Sequence, residues 1–266
     1  MRMYQVDAFT SRPFAGNPAA VLLLEDWLDD ALMLAIAGEN NLAETAFARQ
    51  RPDGAWDLRW FTPMMEVDFC GHATLATAHV LLSEQGHPSP VIFHTRVGPL
   101  RVATVGQGYR MDLPCLPPEP LDQLPPEAAP SFTQPPERLF RNFENIFADL
   151  GSADAVRAFQ PDMPPLAKLG RRGLVVTGRG RPDEKADFVS RYFVPGAGIP
   201  EDPVTGSIHS TLVPYWAGQL GRTELLAYQA SPRGGWLECE LAGDRVMLTG
   251  QAVTFMQARI FLHGAG

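Results

Sequence analysis

One phrase is written twice in this chain, and it constrains the fold more than anything else in the sequence. Residues 68–87 read DFCGHATLATAHVLLSEQGH and residues 202–222 read DPVTGSIHSTLVPYWAGQLGR. Each copy has a short polar approach, a glycine, a mostly apolar stretch of helical spacing and a second glycine. Gly71 and Gly86 bracket the first, Gly206 and Gly221 the second, fifteen residues apart in both. The likeness continues outside the helices. WFTP precedes the first copy and YFVP the second, and Glu66 and Glu201 each stand five residues before the leading glycine. Downstream, VIFHTRVGPLRV parallels LLAYQASPRGGWLECEL. A unit of strand, turn, helix and strands therefore occupies most of each half. A duplicated unit predicts two related halves about a pseudo-twofold axis, with a cleft between them of the kind that often takes a small ligand.

The rest of the chain fits this plan. MYQVDAF alternates as a strand does, and DWLDDALMLAIAGENN carries helical spacing at Leu28, Leu32 and Ile36. WDLRWFTP reads as a strand stopped by Pro63, and RRGLVVTG and ADFVSRYFVP as further strands. Nine prolines fall between Pro114 and Pro136. Proline removes a backbone donor and fixes φ, so this segment reads as an irregular crossing between halves. The expected division is 1–115 with 252–266 as the first half and 116–251 as the second. The last strand, AVTFMQARIFL, would return to the first half.

Composition excludes several function classes. The net charge of −8 argues against nucleic acid and anionic membrane as partners. No apolar run approaches the ~20 residues that span a bilayer. Cys70, Cys115 and Cys239 are too few and scattered for a disulfide framework or a zinc cage, and fit a reduced, cytoplasmic setting. Lys168 and Lys185 are the only lysines, which disfavours Schiff-base chemistry. Neither a dinucleotide fingerprint nor a P-loop occurs, and GSIHS is not a nucleophile elbow. No cofactor and no metal are expected.

The chemistry points to the helix fronts. A helix N-terminus presents unpaired amides and the positive end of its dipole, and glycine lets a ligand come close. Two such fronts suit an anionic group, most simply a carboxylate. Cys70, Gly71 and His72 stand at the first; Asp202, Thr205, Gly206 and Ser207 stand at the second. The plain alternative is that Asp202, Thr205 and Ser207 only cap the helix. Glu44, in the small and apolar run NLAETAF, is either a proton-transferring group or a surface carboxylate at a helix end. A carboxylate in apolar surroundings holds its proton more tightly and can exchange it near neutrality. Cys70 has Thr205 opposite it in the other copy, so a symmetric two-thiol mechanism lacks its partner.

Four motifs, FAGNPAAV, NLAETAF, FTPMMEVDFCGHATLATAHVL and EDPVTGSIHSTLVPYW, spread in order along nearly the whole chain, closely resemble those of the PhzF family of phenazine biosynthesis-like isomerases. The resemblance implies an α+β, diaminopimelate epimerase-like duplicated fold, in which each half is a mostly antiparallel sheet wrapped around a central helix. It implies a cofactor-independent isomerase, typified by the enzyme that isomerises trans-2,3-dihydro-3-hydroxyanthranilate, and a homodimer. Carried over motif by motif, it makes Glu44 the acid/base, with His72 and Asp202 beside it as catalytic residues. Ser207 becomes substrate-binding; the backbone at Gly71 and Gly206 joins it by the helix-front argument, and Asn17 in GNP lines the site. The family's alanine before the G-S-x-H histidine is replaced by Ile208, a matter of helix packing. The substrate class is a small carboxylate. An epimerase or racemase acting beside a carboxylate, or a non-catalytic carboxylate-binding protein, are the alternative readings.

Overall fold

A computed structural model describes residues 1–262 of the chain. It divides into two compact units, Met1–Asp112 with Thr249–Gly266 and Leu113–Leu248. In chain order the first contains β1 (Arg2–Ala8), β2 (Asn17–Leu24), α1 (Asp30–Asn40), β3 (Glu44–Gln50), β4 (Trp56–Phe61), β5 (Glu66–Val67), α2 (Gly71–His79), β6 (Val91–Thr95), β7 (Gly98–Val105) and β8 (Gly108–Pro114). The second contains β9 (Glu119–Pro120), β10 (Arg138–Arg141), β11 (Asn145–Ser152), α3 (Ala153–Ala158), α4 (Met163–Leu166), β12 (Gly173–Arg179), β13 (Phe188–Val194), β14 (Ile199–Asp202), α5 (His209–Leu220), β15 (Glu224–Gln229), β16 (Gly235–Ala242) and β17 (Arg245–Gly250). The closing β18 (Ala252–Arg259) lies antiparallel along β1, Met3 facing Ala258.

The fold is α+β and diaminopimelate epimerase-like, and the repeat is present in the strand pairing itself. β2 runs parallel to β3, as β11 does to β12. β3 is antiparallel to β4, and β4 to β5, as β12 is to β13 and β13 to β14. β4 then runs parallel to β6, and β13 to β15, the strand after each central helix. Hairpins β6–β7 and β15–β16 complete the copies. Apart from the two parallel joints in each unit, the pairings within these two copies are antiparallel.

Each sheet is covered differently on its two faces. Side chains alternate across a strand. In the first unit Ala20, Leu22, Leu24 and Phe47 pack with Met33 and Ile36 of α1. Asn17, Ala19 and Glu44, at the other parity, belong to the opposite face, against which α2 lies. All nine residues of α2 are buried. Its small residues, Gly71, Ala73, Thr74, Ala76, Thr77 and Ala78, let strands wrap closely around it. In the second unit Ile146, Ala148, Leu174, Val176 and Val189 pack with Val156 of α3. The alternate residues meet α5: Tyr215 Oη donates to Asp149 at 2.5 Å and Trp216 Nε1 donates to Thr177 Oγ1 at 2.9 Å. Trp216 also stacks on Phe188, with ring centres 5.6 Å apart.

The repeated glutamates acquire a structural role. Arg59, on β4, holds Glu66 by Nε–Oε1 and Nη2–Oε2 contacts of 2.7 Å each. Arg191, on β13, holds Glu201 in the same fork at 2.7 and 3.0 Å. Each guanidinium also covers the phenylalanine two residues on, Phe61 at 5.2 Å and Phe193 at 4.8 Å. The fork ties the turn before each central helix to the sheet, in both copies. The proline-rich crossing is less irregular than its composition suggests. Glu119–Pro120 pairs with β10, and Ala129–Ser131 makes a 3₁₀ turn. Proline is tolerated at such edge and turn positions because no ladder donor is needed there.

Candidate active site

Glu44 is the first residue of β3 and is 9% exposed. It is neither at a helix end nor on the surface. Parallel pairing sets Ala19 beside it, so Asn17, at the start of β2, lies on the same face one step away. Gly16 delivers Asn17 there. Its φ is +65°, and an added Cβ would run into the carbonyl of Ala8. Across from these strands the first turn of α2 brings down His72. The His72 Nε2 lies 3.1 Å from Glu44 Oε2. On the other side of the ring, Asn17 Nδ2 lies 3.0 Å and Cys70 Sγ 3.4 Å from Nδ1. Asn17, Cys70 and His72 are all buried. Glu44 Oε2 is buried without a hydrogen bond of good geometry. Donor atoms of Glu44, Cys70 and His72 lie within 4.8 Å of one another.

Burial acts against a charged ring at His72, but the Cys70 sulfur and the Glu44 carboxylate outweigh it and hold the ring well above the ordinary histidine value. Burial, with Glu44 adding to it, pushes the Cys70 thiol up to about 11. The thiol therefore keeps its proton near neutrality. The imidazole thus lies between the Glu44 carboxyl group at Nε2 and the Asn17 amide and Cys70 thiol at Nδ1.

The front of the second helix is built differently. α5 starts at His209, and no side chain caps it. Asp202 is buried at the end of β14 and accepts a short hydrogen bond from the Thr205 hydroxyl. Gln229, fully buried at the end of β15, grips the same loop from behind. Its Nε2 donates to the Asp202 carbonyl at 2.8 Å, and its Oε1 accepts from the Thr205 amide at 2.8 Å. Ser231 Oγ donates to the Pro203 carbonyl at 2.8 Å. Gly206 is buried and Ser207 is partly exposed in the turn that leads into α5. Asp202 and Thr205 thus tie down a loop and do not cap the helix, and Ser207 lies in the turn that leads into it.

The copies also share a detail one turn into each helix. Thr74 Oγ1 donates to the Cys70 carbonyl at 2.6 Å, and His209 Nδ1 lies 2.9 Å from the Thr205 carbonyl. This aligns Cys70 with Thr205 and His72 with Ser207. Register places Thr45 opposite Phe61 and Leu174 opposite Phe193, so Glu44 corresponds to Gly173. At Gly173 the ring of Tyr192 takes the space that a side chain would need. The Glu44 carboxyl group, the His72 imidazole and the Cys70 thiol all belong to one copy only.

The model of the family described as phenazine biosynthesis-like, PhzC–PhzF, matches residues 6–258. The chain belongs to this family. An uncharacterized isomerase of Pseudomonas aeruginosa is 46% identical over 263 residues, covering 98% of this chain and 99% of that one. A PhzF-family protein of Enterococcus faecalis, solved by crystallography, superposes with a TM-score of 0.90 at 41% identity, covering 98% and 99% of the two chains. At 13% identity, a probable proline racemase from Agrobacterium radiobacter shares the fold, with a TM-score of 0.63 over 98% and 93%.

In this PhzF-family chain the structure brings Glu44, His72, Gly71 and Asn17 together in the first unit. Asp202, Gly206 and Ser207 come together in the second. Sequence reading passed over Gln229, whose only signal is a glutamine at the end of ELLAYQ. It placed Cys70 at the helix front without a role, and there the thiol touches the imidazole. Among the described residues no helix is long and apolar enough to cross a membrane.

Proposed function

We propose that this chain is an isomerase that moves a proton between two carbons of a small carboxylate-bearing substrate, cyclic in the simplest case, with Glu44 as the single acid/base. The observation that carries this reading is the buried Glu44 carboxyl group, 3.1 Å from the His72 ring and present in only one of the two copies. A one-group shuttle needs one base that both takes and returns the proton. A two-base epimerase needs opposed bases, and the duplicated frame carries Gly173 and Thr205 where the second copy would supply them.

In the proposed step Glu44 accepts a carbon-bound proton. The charge that develops on the substrate is met by the His72 ring, which costs little reorganisation because it is already in place. Glu44 then returns the proton to a second carbon. Gly71 and Asn17 hold the substrate beside His72. For Asp202, Gly206 and Ser207 we propose binding and polarising roles toward the same substrate, the glycine amide receiving the carboxylate at the helix front. The reading includes no organic cofactor, and a cytoplasmic homodimer. The family likeness supports these features, and light scattering of the purified protein tests the dimer.

Solvent-deuterium exchange into a panel of small carboxylates tests the function. Deuterium in a positional isomer supports the isomerase. Inverted configuration at one carbon marks an epimerase, and binding without exchange marks a carrier; either overturns the reading.

A further inference from the structure

We propose that Asn17 is a positioning residue for His72, whose amide fixes the ring's proton on Nε2, the nitrogen turned toward Glu44. The two ring nitrogens have different neighbours. Nδ1 lies 3.0 Å from the Asn17 amide nitrogen and 3.4 Å from Cys70 Sγ, and Nε2 lies 3.1 Å from Glu44 Oε2. An amide nitrogen carries two N–H donors and accepts nothing, so Nδ1 meets it with a lone pair. Cys70 acts in the same sense. Its thiol is pushed up to about 11, so near neutrality it offers Nδ1 an S–H, and only as a thiolate would the sulfur favour a second ring proton. With Nδ1 accepting, the ring's proton stands on Nε2 and is donated toward the Glu44 carboxyl group. The opposite tautomer would set Nδ1–H against the amide hydrogens and a bare Nε2 against the carboxylate, two buried contacts without a hydrogen bond.

The amide is firmly held. Asn17 is fully buried, and its backbone pairs with Ala8 of β1 at the very start of β2. The duplication supplies an independent observation. Ala19 pairs with Glu44 and Asn145 with Gly173, so the correspondence of Glu44 with Gly173 aligns Asn17 with Phe143. Phe143 is exposed. Where the second copy has Ser207 in place of His72, it therefore has no amide in place of Asn17. The brace occurs only in the copy that has a ring to brace. Asn17 thus acts on the substrate through the ring. In the proposed reaction the Nε2–H is the donor that faces the charge developing as Glu44 takes its proton, and the amide keeps that hydrogen from migrating to Nδ1. This consequence rests on the proposed function; the place of the proton does not, so the two are tested apart.

The proton is read directly in long-range nitrogen–proton correlation spectra of protein labelled in its histidine rings. The chain has six histidines, and the signals lost in His72→Gln identify the ring. Near neutral pH, Nδ1 is expected to resonate as a bare, pyridine-type nitrogen and Nε2 as a protonated, pyrrole-type one. A proton on Nδ1, alone or together with one on Nε2, overturns the proposal. Asn17→Leu keeps the volume and removes the donor, so both tautomers should appear; an unchanged spectrum overturns the proposal too. With a substrate that is isomerised, kcat of this variant should fall by roughly 10-fold or more while KM stays within a few-fold. A raised KM at unchanged kcat would mark direct contact with substrate and overturn the positioning role. If Asn17→Leu proves unfolded by thermal melting, Asn17→Asp decides. Its carboxylate accepts from Nδ1, so it should draw a proton there and move the acid limb of the kcat profile to higher pH. A bare Nδ1 with an unmoved limb overturns the proposal. The expected wild-type spectrum, with no isomer formed from any carboxylate of the panel, would keep Asn17 with the ring and sink the proposed function.

Discussion

Glu44 and its neighbours set the first expectations at the scale of single residues. Glu44→Gln keeps size and hydrogen bonding but cannot accept a proton. Turnover should fall by roughly 10²-fold or more, with ligand affinity retained. A loss of only a few-fold would transfer the role to His72. Cys70→Ser should keep a substantial part of the turnover, because the thiol, pushed up to about 11, is protonated when the carboxylate is ready to act. Activity as low as that of Glu44→Gln would mean that sulfur carries the chemistry. His209 gives a stability test. Its ring is fully buried, and burial depresses it from 6.5 to about 4 despite the backbone contacts at Thr205 and Gly206. The unfolded chain therefore binds a proton between these values that the folded chain refuses. The stabilisation is whole above about pH 6.5 and is lost as pH falls toward 4, about 3 kcal/mol in all. Urea midpoints should drop across that window. His209→Asn, which keeps a donor for the Thr205 carbonyl, should flatten the drop.

At the scale of elements, two buried side chains hold the front of α5. Gln229 satisfies the Asp202 carbonyl and the Thr205 amide together. Gln229→Leu should leave both groups buried without partners and loosen the loop that positions Asp202. Under the proposed function, substrate affinity should weaken by roughly tenfold, and melting should fall by several degrees, since each buried group left unsatisfied costs about 1–3 kcal/mol. Equal affinity in the variant would show that the loop holds itself. The Arg191–Glu201 fork is nearly closed to water, and Arg191 Nη1 also donates to the Phe159 carbonyl at 2.7 Å. Glu201→Ala should cost about 3–5 kcal/mol, the usual result of stranding a buried charge, measured as a shift in denaturant midpoint. In the first copy Arg96 is also in contact with Glu66, at 2.5 Å, so the fork there has a second cation. The helices, the punctuating glycines and most strands could be read from periodicity. The two forks could not: Glu66 and Glu201 were visible as repeated letters, while their arginines lie on β4 and β13, which meet them only across a folded turn.

On the scale of the molecule, β18 is the closing element. It leaves the second unit's sequence and lies along β1, from Arg2 opposite Arg259 to Ala8 opposite Ala252. A domain is held by only about 5–15 kcal/mol, so removing one flank of β1 is expected to be decisive. A chain ended before residue 252 should lose cooperative melting of the first unit. A sharp melt within a few degrees of the parent would sink that expectation. Sequence alone determined the duplication, the two central helices and the family, because periodicity and glycine punctuation are local properties that survive in a linear string. It also marked Glu44, His72, Asp202 and Ser207 as polar residues out of place beside apolar helices. Only the tertiary structure decided what they touch. Whether Glu44 faces α2 or α1 depends on the parity of one strand against its neighbours, and a slip of one residue would reverse it. Whether Cys70 meets a carboxylate depends on a parallel joint between β2 and β3 that no local signal encodes. The raised proton affinity of His72 follows from that meeting, since it is set by the groups that surround the ring in space.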